Sequence, residues 1–295
     1  MYNIIMNYTE LESKRKKFAA LVGGGIALVV IGILIMVFMG EATESALPII
    51  SWAMMIIGGA SAGIASAQFN KIKNEFKTKV VPGLVREILG QDCTYSPRSG
   101  LSEAEVCSTR IMHRKDRYHS EDLIEGMIGD VRVRTSDVHI EERHEVHTKN
   151  GTEVTYVTTF LGRFLELTFN KAFNGIVVSS EDYPTHNGLE KCELELIEFN
   201  KKYKTYADTQ HNAFYLLTPP MLEALLRIEK KNQGRIGIEF EGNKVYVAIN
   251  NNVDTFSLSL FKPINDEALN KFKDELSCIP DLIKEIQTNK FYRGE

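Results

Sequence analysis

The side chains best suited to chemistry gather in the stretch Val138–His147, VHIEERHEVH, which holds His139, Glu141, Glu142, His144, Glu145 and His147. Zinc hydrolases set two histidines one helical turn apart beside a glutamate base, in the pattern H-E-x-x-H. Here His144-Glu145 is followed by His147, and Thr148 stands where the second ligand belongs. Asn150-Gly151 then separates two extended runs, a strong hairpin signal that makes the stretch a strand. Side chains alternate along a strand, so His144 and His147 face opposite ways. His139 and His147 share a face but lie ~27 Å apart at a rise of ~3.4 Å per residue. A metal-dependent enzyme or regulator using His139, His144 and His147 is therefore the alternative reading. The leading one is a polar hairpin, about residues 139–155, that engages a protein partner through His139, Glu141, Arg143, Glu145 and His147.

The second chemical candidate is Gly58-Gly59-Ala60-Ser61-Ala62-Gly63. A phosphate-cradling loop needs G-x-G-x-x-G, or G-x-x-x-x-G-K-[ST], between a strand and a helix. Neither spacing occurs, and the next lysine is Lys71. Gly59-x-x-x-Gly63-x-x-x-Ala67 instead forms a small-residue ladder on one helical face, suited to close helix packing in lipid. No serine or cysteine lies in a nucleophile elbow. The reading assigns no catalytic residue and no cofactor, and leaves an enzyme as the less favoured class.

The elements that must position these residues divide into two kinds. From Phe18 to Gly40, and again from Ser45 to Asn70, there is no Asp, Glu, Lys, Arg or His. At ~1.5 Å per residue both runs exceed a hydrocarbon core of ~30 Å. The first is too long for the apolar core of a signal peptide and lacks an A-x-A site after it. Lys14 to Lys17 precede it, and Lys71, Lys73, Lys77 and Lys79 follow the second, while the intervening loop carries only Glu41 and Glu44. The positive-inside rule places both flanks in the cytoplasm and the 41–47 loop outside. Residues 1–17 are then a cytosolic lead, 18–40 and 45–70 the two spans, and 71–295 a cytosolic domain with two subdomains at about 71–185 and 186–295.

The 295-residue chain has a net charge of −4, and residues 1–70 balance four basic groups with four acidic ones. The soluble part is thus acidic, with no basic stripe to suggest nucleic acid. Cys93, Cys107, Cys192 and Cys278 are scattered without a C-x-x-C pair, as expected of reduced cytosolic thiols.

Beyond the membrane, apolar residues at four-residue spacing (Ile72, Phe76, Val80, Leu84, Ile88) extend a helix that Pro82-Gly83 should kink. Ser102-x-x-Glu105 predicts a capping box. Strands follow at Val131–Thr135, RFLELTFN and GIVVSS, and RIGIEF-EGN-KVYVAI predicts a second hairpin. Thr218-Pro219 opens a helix ended by Gly234, and Leu269, Phe272, Leu276, Ile279 and Ile283 stripe a final one. The fold class is α+β: an N-terminal two-helix membrane hairpin, then an antiparallel sheet with packed helices.

The order of DRYHSEDLIEGMIGD, SDVHIEE, RFLELTFNKAFNG, YADTQ, AFYLLTPPMLEALL and NKVYVAI…LSLFKP resembles a bacterial membrane-anchored family, domain of unknown function 3137, from about residue 70 onward. Its most characteristic positions here are Asp122, Gly126, Gly129, His139, Phe169, Asn170, Phe173, Gly175 and Asp208. DTQHNAF departs from the more acidic pattern of the family. The resemblance implies a membrane-associated protein and brings no catalytic residues. Partners expected overall are the lipid bilayer and a protein, or a second copy through the membrane hairpin, and not nucleic acid. The expected location is the bacterial inner membrane with both termini cytoplasmic. The leading function is a membrane-anchored binding or scaffold module, with a transporter accessory subunit as a further alternative; neither span carries a charge that could serve as an ion site.

Overall fold

Long uninterrupted apolar runs favour helix because every backbone group is satisfied within the segment, and the chain opens with two. The computed structural model describes residues 2–39, 47–149, 151–173 and 175–288. Helix α1 spans Tyr2–Met39 and α2 spans Leu47–Glu75. Both are long and apolar enough to cross a membrane. Most of their large side chains are open, among them Phe38 at 84% and Ile49 at 74% exposure. The expected outer loop lies almost wholly outside the described residues.

The two helices meet along a seam of period seven. Tyr8, Arg15 and Val22 alternate with Leu11, Gly25 and Gly32 on α1, against Ser51, Gly58, Ala65 and Ile72 on α2. A methyl group built on Gly58 would lie 2.5 Å from the Gly25 carbonyl oxygen, so only glycine permits this approach. Gly59, Gly63 and Ala67 are exposed instead, and among the described residues no atom lies within 4 Å of a methyl built on either glycine. The ladder thus faces away from α1, one residue out of phase with the seam.

Pro82 does not break the helix. A π-helical turn, Phe76–Val80, joins α2 to α3 (Val81–Leu89), with the Val81 N–H donating to the Phe76 carbonyl. Widening one turn lets the helix run on past a residue that has no N–H to offer.

Two compact units divide the chain: Met1–Gly83 with Ser257–Asn270, and Leu84–Phe256 with Lys271–Glu295. The second holds one antiparallel sheet of nine strands in the order β1-β2-β3-β4-β9-β8-β5-β7-β6. These are β1 (Thr94–Ser96), β2 (Arg117–Ile128), β3 (Val131–Thr148), β4 (Gly151–Thr168), β5 (Val177–Ser180), β6 (Glu190–Cys192), β7 (Lys204–Ala207), β8 (Arg235–Glu241) and β9 (Lys244–Asn250). Strands from both sides of residue 185 share this sheet. Its core gathers Val138, Ile140, Phe164, Val178 and Ala248 with Leu101 and Val106.

The helices between the strands are short: α4 (Glu103–Cys107), α5 (Ile197–Lys202) and α6 (Gln210–Leu216), then the longer α7 (Pro219–Asn232). The capping box forms as the sequence predicts, with Ser102 accepting from the Glu105 N–H and Glu105 from the Ser102 N–H. Helix α7 ends at Asn232, just before the expected Gly234 stop, but Gln233 rather than Gly234 takes the left-handed conformation, at φ 52°. Gly234 is needed for space, since a methyl there would lie 2.5 Å from the Asn251 Cβ. The last helix, α8 (Asp266–Thr288), buries the expected stripe, Leu276 and Ile279 completely.

Candidate functional site: an exposed two-stranded ribbon

The hairpin of β3 and β4 is where the sequence put its polar cluster, and Thr148 pairs with Gly151 to close it. Asn150 lies outside the described residues, and Gly151 is the first residue of β4. Both strands are far longer than their neighbours. On one side β2 pairs with β3 only as far as Arg117↔Glu141, and on the other β9 pairs with β4 only as far as Gly162↔Asn250. Beyond those points the two strands run on as a ribbon.

The base of the ribbon is braced. Lys115 Nζ meets Glu142 Oε1 at 2.8 Å, and the Arg143 N–H donates to Asp116 Oδ2 at 2.7 Å. The Arg117 guanidinium lies 3.2 Å from the ring centre of Tyr156, a cation–π contact. Past these braces, residues 143–147 and 151–155 are exposed on both faces. Thr159 is the extra residue of a bulge opposite Ile140/Glu141, which re-aims the ribbon relative to the sheet.

Register decides which side chains share a face. Glu141, Arg143, Glu145 and His147 stand with Thr158, Tyr156, Val154 and Thr152; Glu142, His144 and Val146 stand with Val157, Thr155 and Glu153. Arg143 and Glu145 form an ion pair. Each face also carries apolar surface, with Val146 at 54%, Val157 at 48% and Val154 at 40% exposure.

The five partner-binding candidates therefore lie along one face, with His139 at its root. The three histidines are not gathered. His139 Nε2 is 2.9 Å from Thr158 Oγ1, His147 Nδ1 is 2.9 Å from Thr152 Oγ1, and His144 sits 3.7 Å from Glu142.

What sequence reasoning missed is a buried polar centre at the ribbon's root. Asp137 and Arg163 are cross-strand partners, and Arg163 Nη2 donates to Asp137 Oδ1 at 2.7 Å. The Thr255 N–H and hydroxyl both donate to the same carboxylate, at 2.8 and 3.1 Å. Burial pushes the Asp137 carboxyl up, while the guanidinium and the Thr255 N–H pull it back. Nearby, Asp122 sits fully buried at a left-handed φ of 59° in a bulge of β2 and accepts from the Tyr95 hydroxyl. One carboxylate oxygen from each of Glu121, Asp122 and Asp254 lies within 4.8 Å of the others, the one such group among the described residues. Single-strand alternation cannot announce it, because its members come from the β2 bulge and the loop after β9. The left-handed Asp122 is the part a sequence could hint at, through its interruption of the β2 pattern.

The residues that carry the family resemblance hold turns and close approaches. Gly129 has φ 62° in the β2–β3 turn, and a side chain at Gly126 would meet the backbone of Cys93 at 2.6 Å. Gly175, at φ 86°, packs against Asp208, whose carboxylate accepts from Asn212 Nδ2 at 3.0 Å. Phe169 and Phe173 meet edge to face at 5.5 Å.

Residues 158–288 match the model of a family described as protein of unknown function (DUF3137). That segment is a domain of unknown function 3137, running from the middle of β4 through α8; the match begins later than the resemblance from residue 70 suggests. No curated protein matches the chain. A solved structure similar to it is the crystal structure of the mycobacterial trehalose monomycolate transport factor A, TtfA. Identity is 10% and the TM-score 0.32, over 57% of this chain and 74% of that one.

Proposed function

We propose that this chain is a membrane-anchored scaffold that binds a protein partner through the ribbon of β3 and β4. Helices α1 and α2 enter the bacterial inner membrane as a hairpin. The lysines flanking them hold both termini and the α+β domain in the cytoplasm. The outward ladder of Gly59, Gly63 and Ala67 offers a second copy of the hairpin a close approach in lipid.

The observation that carries the reading is a ribbon open on both faces whose exposed residues include three valines. A two-stranded ribbon is marginally stable in water by itself, and unpaired strand edges invite another strand. A partner that adds a strand to the edge, or lies across the Arg143/Glu145 face, would cover the valines and complete the pairing. The salt bridges and the Arg117–Tyr156 contact at the base hold the ribbon in place for it.

The test is chemical cross-linking of the full chain in native membranes, comparing wild type with Val146→Ser/Val154→Ser/Val157→Ser. A specific cross-linked product should be lost in the triple variant while membrane association and thermal stability are retained. An unchanged product would refute the ribbon as the binding site.

A further inference from the structure

We propose that the loop Ser257–Asn265 is a third contact with the bilayer, inserting Phe261 at the interface and holding an anionic phospholipid headgroup with the lysines of α1. This rests on the anchoring reading above.

The loop is tied to α1 at three levels. Arg15 Nη1 donates to the Leu260 carbonyl at 2.5 Å, the Ile264 N–H donates to Glu12 Oε2 at 2.8 Å, and the Tyr8 hydroxyl donates to Asp266 Oδ1 at 2.5 Å. Arg15 is 6% exposed, an unusual depth for a charged side chain, and it also holds Glu12 at 2.7 Å. Arg15 precedes Phe18, where the charge-free run begins, by three residues, or ~4.5 Å along a helix axis. Leu260, Phe261 and Lys262 are therefore pinned at the height where a spanning α1 leaves the hydrocarbon for the headgroups.

The loop's own side chains fit that height. Leu258 and Ile264 are buried at 7% and 2%, while Phe261 between them is 66% exposed. An aromatic ring held open by flanking anchors loses its unfavourable hydration on entering a membrane interface. Lys16, Lys17 and Lys262 are all exposed.

Below the loop lies a cleft of about 600 Å³ lined by Tyr8, Ser13, Lys16, Lys17 and Asn265. Its two acids are already engaged: Glu12 by Arg15 and the Ile264 N–H, Asp266 by Tyr8. Lys16 stands 3.8 Å from Glu12, a loose pairing that a phosphate could displace. Asp266 and Glu267 occupy the first turn of α8, where negative charge offsets the helix dipole. The remaining cationic donors suit the negative lipids of a cytoplasmic leaflet.

The test uses the full chain carrying Trp52→Phe and Phe261→Trp, which leaves one indole. It is reconstituted in vesicles of phosphatidylcholine with phosphatidylglycerol, some with brominated acyl chains. The expected result is a blue-shifted emission quenched by the brominated lipid, both weakened in phosphatidylcholine alone and in the added variant Lys16→Glu/Lys17→Glu/Lys262→Glu. A chain that floats with the vesicles yet shows unquenched, water-like emission overturns the loop contact and leaves the anchor standing. Quenching equal with and without phosphatidylglycerol overturns the headgroup site. A chain that fails to float overturns the anchor and this contact with it.

Discussion

Arg163 and Asp137 face each other across adjacent strands, and their side chains meet at 2.7 Å with only 5% of each exposed. The pair sits where β3 and β4 leave the sheet to become the ribbon, and Thr255 closes over it from the loop after β9. Nε and Nη1 of Arg163 have no hydrogen-bond partner among the described residues. The guanidinium therefore depends heavily on Asp137, and the root of the ribbon depends on both.

Removing one member should cost far more than removing both. Asp137→Asn takes from a buried cation its hydrogen-bonded counter-charge and leaves only the more distant Asp122 and Glu275, at roughly 3 kcal/mol. Asp137→Leu combined with Arg163→Met should recover most of that loss. Thermal unfolding of the full chain in detergent measures it; a double-variant loss equal to the sum of the two single losses would mean the pair is not coupled.

Stability should fall as pH rises from the ordinary glutamate range toward 7. Burial raises Glu239 and Glu275 to about 7 each. In that window the folded state holds protons that the unfolded chain has released, so the slope of stability with pH is negative. Each group could account for roughly 1–3 kcal/mol across the window. Glu239→Gln/Glu275→Gln should flatten the unfolding profile between about pH 5 and pH 8. A profile as steep as the wild type's would contradict the assignment.

The helix seam makes a contrast between adjacent glycines. Gly58→Val drives a side chain into the Gly25 carbonyl and should destabilise the hairpin by about 1–3 kcal/mol. Gly59→Val meets open space and should leave it unchanged. Disulfide formation between cysteines placed at Val22 and Ala65 in detergent reads the pairing directly.

Topology is open to labelling with a membrane-impermeant maleimide. Cys192 is buried, so a reporter is better placed at exposed positions. In intact cells Lys149→Cys should be protected and Leu47→Cys should react; the reverse pattern would invert the orientation.

Much of this fold was legible locally. The apolar runs, the capping box at Ser102, the β3–β4 and β8–β9 hairpins and the stripe of α8 follow from short-range spacing, and each is present. Strand β2 was not legible, because Asp122 and its bulge interrupt the alternation that marks a strand. Which small residues face α1 is not legible locally, since Gly58 and Gly59 are equally small and only the partner helix chooses between them. The histidine-rich strand was recognised as a hairpin, but its extension beyond both neighbours depends on where β2 and β9 stop. Pairing distant in sequence, such as Asp137 with Thr255, lies beyond any local pattern.

The most direct test of the central claim is photocross-linking in native membranes. A photoreactive residue is placed at Val154 on the ribbon and, separately, at Lys230 on α7, both exposed. One discrete protein adduct is expected from position 154, absent from position 230 and lost when residues 143–157 are replaced by a short turn. No adduct from 154, or the same adduct from both positions, would contradict it.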